Sequence, residues 1–78
     1  MTKTERLIKA TKDAVARNVR VLRIDAGLTQ AVVARRAKLH LRSYQRIEAG
    51  ETSPRVDGLA MLGRALRVDA ATLLERRR

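Results

Sequence analysis

Apolar residues recur at spacings of three and four along this chain and nowhere alternate, and that periodicity restricts the fold to helices. Val15, Val19, Leu22 and Ala26 form one stripe; Val56, Leu59, Leu62 and Leu66 form another. Each set falls on one side of a helix and needs a partner surface to cover it. The chain has 78 residues and no cysteine, so a single domain must be held by apolar packing, without disulfides or a thiolate zinc site. Ala, Val and Leu dominate the 45% of apolar residues, and Tyr44 is the one aromatic side chain, a composition suited to a helical core. The expected fold class is all-α, a compact five-helix bundle.

Capping and breaking residues divide the chain. Thr2 and Glu5 have the spacing of a capping box, just ahead of Leu7 and Ile8. Residues 1–12 form an N-terminal basic extension that reads equally as a continuation of the first helix or as a loose arm. The main stripe runs from about Asp13 to Ala26, and Gly27 ends it. Thr29 suits the N-cap of a second helix carrying Val32, Val33 and Ala37. A tight turn at Lys38-Leu39-His40 leads to a third helix through Tyr44, Ile47 and Glu48, closed by Ala49-Gly50. Ser53 and Pro54 read as the N-cap and first position of a fourth helix. Its interior Gly58 and Gly63, each costing about 1 kcal/mol relative to Ala, read as marks of close packing. Asp69 caps a short fifth helix with Leu73 and Leu74, so residues 13–75 make the domain and Arg76 to Arg78 a charged tail.

Eighteen Lys and Arg stand against eight Asp and Glu, a formal charge of +10. Such an excess favours a polyanionic partner through long-range attraction and counterion release, and nucleic acid is the first choice. The same charge also suits an RNA-binding protein or a merely solvated surface. No apolar run approaches the roughly 18 to 20 residues that span a bilayer, and no signal-peptide core follows Lys3, so a cytoplasmic protein without a membrane partner is expected. With one histidine, His40, and no cysteine, a metal site has too few soft ligands. The carboxylates are scattered, and no Gly-rich phosphate loop or nucleophile elbow occurs. Neither an enzyme nor a cofactor is expected.

Gly27-Leu28-Thr29-Gln30, Ala34, the turn at Lys38 to His40, Ile47-Glu48-Ala49-Gly50, Pro54 and Leu66-Arg67-Val68 fall in an order that resembles the Cro and lambda-repressor-like helix-turn-helix family. The likeness covers about Val15 to Leu74. It implies a helix-turn-helix whose second helix lies across the DNA backbone and whose third enters the major groove, N-terminal residues toward the base edges. Ala34 then supplies the small side chain where these helices touch. Thr29 and Gln30 fall where the family grips a phosphate, and His40, Leu41, Arg42, Ser43, Gln45 and Arg46 on or beside the recognition surface. Arg suits guanine, Gln suits adenine, and Leu41 a thymine methyl. Arg42 and Arg46 read alternatively as a solvated helix face, and Gln45 as pointing to backbone or solvent.

The resemblance also implies an ion pair of Arg23 with Glu48, joining the first helix to the third. Tyr44 falls at a core position, its hydroxyl expected to reach the surface. Lys38 and Arg67 stand where the family commonly has glycine, which predicts either left-handed backbone at non-glycine residues or a slightly different turn. Arg55, just after Pro54, is expected beside the recognition helix, near a narrowed minor groove.

One recognition helix reads about half a turn of DNA, so a homodimer on an inverted-repeat operator is expected, with half-sites about 34 to 36 Å apart. Val56, Leu59, Leu62 and Leu66 are expected to face inward, leaving Met61, Val68, Leu73 and Leu74 for a self-complementary patch. The segment through Ile8 is a rival interface. The function implied is a sequence-specific transcriptional regulator, a Cro-like repressor or a controller that activates and represses. An antitoxin-like module that holds a protein partner, with DNA binding secondary, is the alternative.

Overall fold

A computed structural model describes residues 1–76; Arg77 and Arg78 of the charged tail lie outside the described residues. Five helices, and among the described residues no strand, make up the chain: α1 Lys3–Asp25, α2 Gln30–Arg36, α3 Leu41–Glu48, α4 Val56–Leu66 and α5 Ala70–Leu73. No helix among them is long and apolar enough to cross a membrane.

The capping box forms as its spacing predicts. Glu5 N–H donates to Thr2 Oγ1 (3.1 Å), and Thr2 N–H donates to Glu5 Oε1 (2.9 Å). The N-terminal segment is therefore not a loose arm: α1 is continuous from Lys3, and its first turns overhang the bundle. Leu7 and Ile8 are 58% and 51% exposed, and burial starts only at Val15 and Ala16. Ala26, counted in the sequence stripe, is the exposed C-cap of α1 rather than a core residue.

The core joins Val15 and Val19 of α1, Val33, Ala34 and Ala37 from α2 and its C-cap, Tyr44 and Ile47 of α3, Leu62, Ala65 and Leu66 of α4, and Leu73 of α5. Leu22, Leu28, Leu39, Leu59, Met61 and Val68 close its margins. Two expectations are corrected here. Val56 is 84% exposed, because it opens α4 a full turn before the helix meets the core. Leu73 is fully buried, whereas its neighbour Leu74 is 42% exposed. Asn18, inside the apolar stripe of α1, explains how the short α5 is held. Its side-chain amide donates to the carbonyls of Leu73 (2.9 Å) and Glu75 (2.7 Å), satisfying acceptors that the end of a helix leaves open.

Pro54 does not occupy the first turn of α4: the N-cap is Arg55, and Ser53 lies outside the helix. The two glycines of α4 also differ. A Cβ on Gly63 would lie 2.7 Å from the Val68 carbonyl oxygen, so the approach of α5 requires glycine there. One on Gly58 would meet only Pro54 Cβ at 3.5 Å, so the expected close packing is absent at that position.

Four helices end in the same way. The N–H groups of Gly27 and Leu28 bond the carbonyls of Ile24 and Arg23; those of Lys38 and Leu39 bond Arg35 and Ala34. Gly50 and Glu51 bond Ile47 and Arg46, and Arg67 and Val68 bond Arg64 and Gly63. Each is a Schellman end, which needs one residue with positive φ. Gly27 and Gly50 supply it at 69° and 77°, Lys38 and Arg67 at 57° and 60°. For the last two the left-handed backbone costs roughly 1–2 kcal/mol.

Candidate nucleic-acid interface

The Schellman end at Lys38 turns the chain between α2 and α3 within the four residues Ala37 to His40, and His40 caps α3 by position without a side-chain bond. Thr29 Oγ1 accepts from Val32 N–H (3.2 Å) at the start of α2. The inward side of α3 is Tyr44, Ile47 and Glu48, spaced three and four apart, all buried. Leu41, Arg42, Ser43, Gln45 and Arg46 remain on the outward side with His40 beside them, all exposed. From Thr29 to Ile47 the cations Arg35, Arg36, Lys38, Arg42 and Arg46 occur with no acidic residue. This segment therefore carries an unopposed positive field, which attracts a polyanion from a distance.

A buried polar cluster fixes the pose of α3. Arg23 donates from Nε to Glu48 Oε2 (2.9 Å) and from Nη2 to Oε1 (2.7 Å), a two-pronged pair, while its Nη1 reaches the Leu28 carbonyl (3.0 Å). One guanidinium thus ties α1, the loop before α2 and α3. The Tyr44 hydroxyl donates to Glu48 Oε2, so it ends in this buried cluster rather than at the surface as the sequence suggested. Burial pushes the Tyr44 phenol up, and its bond to Glu48 pushes it further. Burial also pushes the Glu48 carboxyl up, but bonds from Arg23, Tyr44 and Gln30 outweigh that and hold it below the ordinary carboxylate range. Among the described residues no buried side-chain nitrogen or oxygen lacks a partner.

Gln30 connects this cluster to the outward face. Its Nε2 donates to Glu48 Oε1 (3.2 Å), and its Oε1 accepts from Gln45 Nε2 (3.2 Å). Its amide is thus engaged inside the protein, and Gln45, whose direction the sequence left open, is steered by it. Nothing in the sequence signals this link across fifteen positions.

Arg55 stands at the N-cap of α4 with its side chain 91% exposed, and its contact with Asp57 is loose (3.7 Å). Ser43 and Arg46 of α3 line one concavity with Pro54 and Arg55, so the start of α4 adjoins the outward face. The expected dimer residues do not come together. Leu73 is core, Met61 and Val68 pack against the core, and Leu74 alone is exposed. Leu74 instead shares an open apolar groove with Leu7, Ile8, Val15, Pro54 and Leu59.

Residues 14–76 match the family model of the helix-turn-helix domain. No curated protein matches the chain. Among solved structures, the chain is similar to the crystal structure of the hypothetical transcription factor NHTF from Neisseria, at 23% identity. That likeness covers 88% of this chain and 79% of the other with a TM-score of 0.82, which establishes a common fold.

Proposed function

Because the chain belongs to the helix-turn-helix domain family, we propose that it is a sequence-specific DNA-binding transcriptional regulator that occupies an inverted-repeat operator as a homodimer. One observation carries this reading: α3 is pinned from behind by the Arg23–Glu48 pair while Leu41, Arg42, Ser43, Gln45 and Arg46 are exposed on its outward face. A helix held in one pose with two arginines and a glutamine exposed suits base-edge readout in the major groove. Arg42 and Arg46 then contact guanine and the steered Gln45 contacts adenine; Thr29 and His40 border the phosphates. Regulation is by repression or by controller-type activation and repression from one operator.

The homodimer forms through the apolar strip of Leu7, Ile8, Leu59 and Leu74. The same strip favours a second reading, an antitoxin-like module in which another polypeptide covers these side chains. Selection of bound fragments from random DNA tests both. Enrichment of an inverted repeat with half-sites about 10 bp apart, centre to centre, supports the operator reading. Equal affinity for one half-site and for the full repeat overturns the dimer, and no enrichment at all favours the interaction module.

A further inference from the structure

Of the four Schellman ends, two carry a residue poorly matched to the backbone they require. Lys38 and Arg67 hold positive φ with a side chain, where glycine would be unstrained. Among the described residues these are the non-glycine positions with positive φ; both are basic, and they line one concavity with Arg36, Arg64 and Ala65. No acidic side chain lines it, and none of the four cations forms an ion pair among the described residues. A favourable place at a helix C-terminus accounts for the sign of the charge. Glycine at positions 38 and 67 would nonetheless relieve the backbone and leave Arg36 and Arg64 in the last turns of α2 and α4 for that purpose. Strain and mutual repulsion are thus concentrated at one place, with no compensating contact inside the protein.

Lys38 also lines a second concavity, shared with Ser43 and Arg46 of the outward α3 face and with Arg55. The basic patch is therefore continuous with the candidate interface. Resting on the DNA-binding reading above, we propose that Arg36, Lys38, Arg64 and Arg67 form a second phosphate-binding surface, which holds the DNA backbone flanking the half-site read by α3. An array of four cations continuous with the groove-facing helix suits a run of phosphates better than a single anion. Guanidinium groups pair with phosphate oxygens in two-pronged fashion. The contact is independent of sequence and lengthens the duplex that the protein occupies.

The test compares a selected operator duplex of minimal length with the same operator extended by a further turn of random sequence on each side. The proteins are the wild type, Arg64→Gln/Arg67→Gly and Lys38→Gly. The wild type is expected to bind the extended duplex more tightly and with a steeper salt dependence. Arg64→Gln/Arg67→Gly should abolish that gain, lowering the log–log salt slope by about 1.8 for the two phosphates of each protomer and so by about 3.6 for the dimer, with base preference unchanged. Thermal melting keeps folding out of the result: Lys38→Gly and Arg67→Gly relieve strained backbone and should melt no lower than the wild type while binding less well. Unchanged affinity on the extended duplex in a protein that Arg42→Ala still weakens would overturn the second surface and leave the DNA-binding reading intact. Wild-type protein that binds neither duplex removes both. Binding of polyglutamate that Arg64→Gln/Arg67→Gly abolishes, with DNA affinity unaltered, overturns the proposal in favour of an acidic protein partner.

Discussion

On the inward side of α3, Tyr44, Ile47 and Glu48 are at most 6% exposed, and each polar atom there is bonded, to Arg23, to Gln30 or to a neighbour on the same helix. On the outward side of the same eight residues, Leu41, Arg42, Ser43 and Arg46 make no side-chain hydrogen bond among the described residues, and Gln45 makes one, to Gln30. The two sides divide stability from recognition along a single helix. A charge pair buried behind α3 fixes its direction without consuming any outward residue, so recognition chemistry can change without loss of the fold. The two-pronged Arg23–Glu48 pair adds directional geometry to the apolar packing.

The largest effect should follow from breaking the inner side. Glu48→Ala leaves Arg23 charged with a side chain only 16% exposed and removes the acceptor of Tyr44 and Gln30, with an expected loss of about 3–5 kcal/mol in denaturant unfolding. A loss under about 1 kcal/mol would mean that apolar packing alone holds α3. Acid tests the same cluster. The folded Glu48 carboxyl titrates below the ordinary value of 4.5, so its contribution is complete above that pH and is lost as pH falls through the depressed folded value. Unfolding midpoints measured downward from neutral pH should fall in that acid range, and Glu48→Gln should flatten this part of the profile.

The outer side should respond in the opposite way. Arg42→Ala and Arg46→Ala are each expected to cost roughly 1–3 kcal/mol of operator affinity and to relax preference at particular base pairs. Their unfolding free energies should stay within about 0.5 kcal/mol of wild type. A uniform loss across all sequences would make the residue a phosphate contact.

Gln30 joins the two sides and sharpens the comparison. Gln30→Ala removes one bond to Glu48 and frees Gln45, each worth about 1 kcal/mol. Preference should relax only at the base pair that Gln45→Ala also affects, and the double substitution should add little to either single one. Weakening that is even over all sequences would restore the phosphate role inferred from the family resemblance.

Most of the architecture was legible because helix period and capping act locally. The stripes at Val15 and Val19 and at Leu59, Leu62 and Leu66, the box at Thr2 and Glu5 and the caps at Thr29 and Gly27 depend on residues within a turn of each other. The left-handed conformation at Lys38 and Arg67 was one of two alternatives that the family resemblance left open, and the backbone adopts it. What failed depends on contacts distant in sequence. Leu73 and Leu74 are equally apolar, yet where the end of α5 docks on α1, held there by bonds from Asn18 to the carbonyls of Leu73 and Glu75, the first is buried and the second exposed. Asn18 itself interrupts an apolar stripe, the one signal that it had a buried task. The Tyr44 hydroxyl and the link from Gln30 to Gln45 follow from the pose of α3, which local patterns do not specify. Of the candidate site, the set of outward residues was readable from the period of α3, but not which of them the protein itself steers.

The smallest effect concerns a residue off α3. Arg55 caps α4 by position, lies almost fully in solvent and, among the described residues, forms an ion pair only with Asp57, loosely (3.7 Å). A positive side chain there opposes the helix dipole, so the fold gains nothing from it. Arg55→Ala should therefore leave stability unchanged or slightly raised. Its reach past Pro54 suits a narrow minor groove at the operator centre, where A·T-rich sequence concentrates negative potential. The expected loss of affinity is below about 1 kcal/mol, the range of exposed charge contacts, and greater on operators with an A·T-rich centre than on those with a G·C-rich one. Paired binding measurements on two operators differing only at the centre decide it. Equal losses on both would assign Arg55 to the general phosphate attraction, and base-edge recognition would then be confined to the outward side of α3.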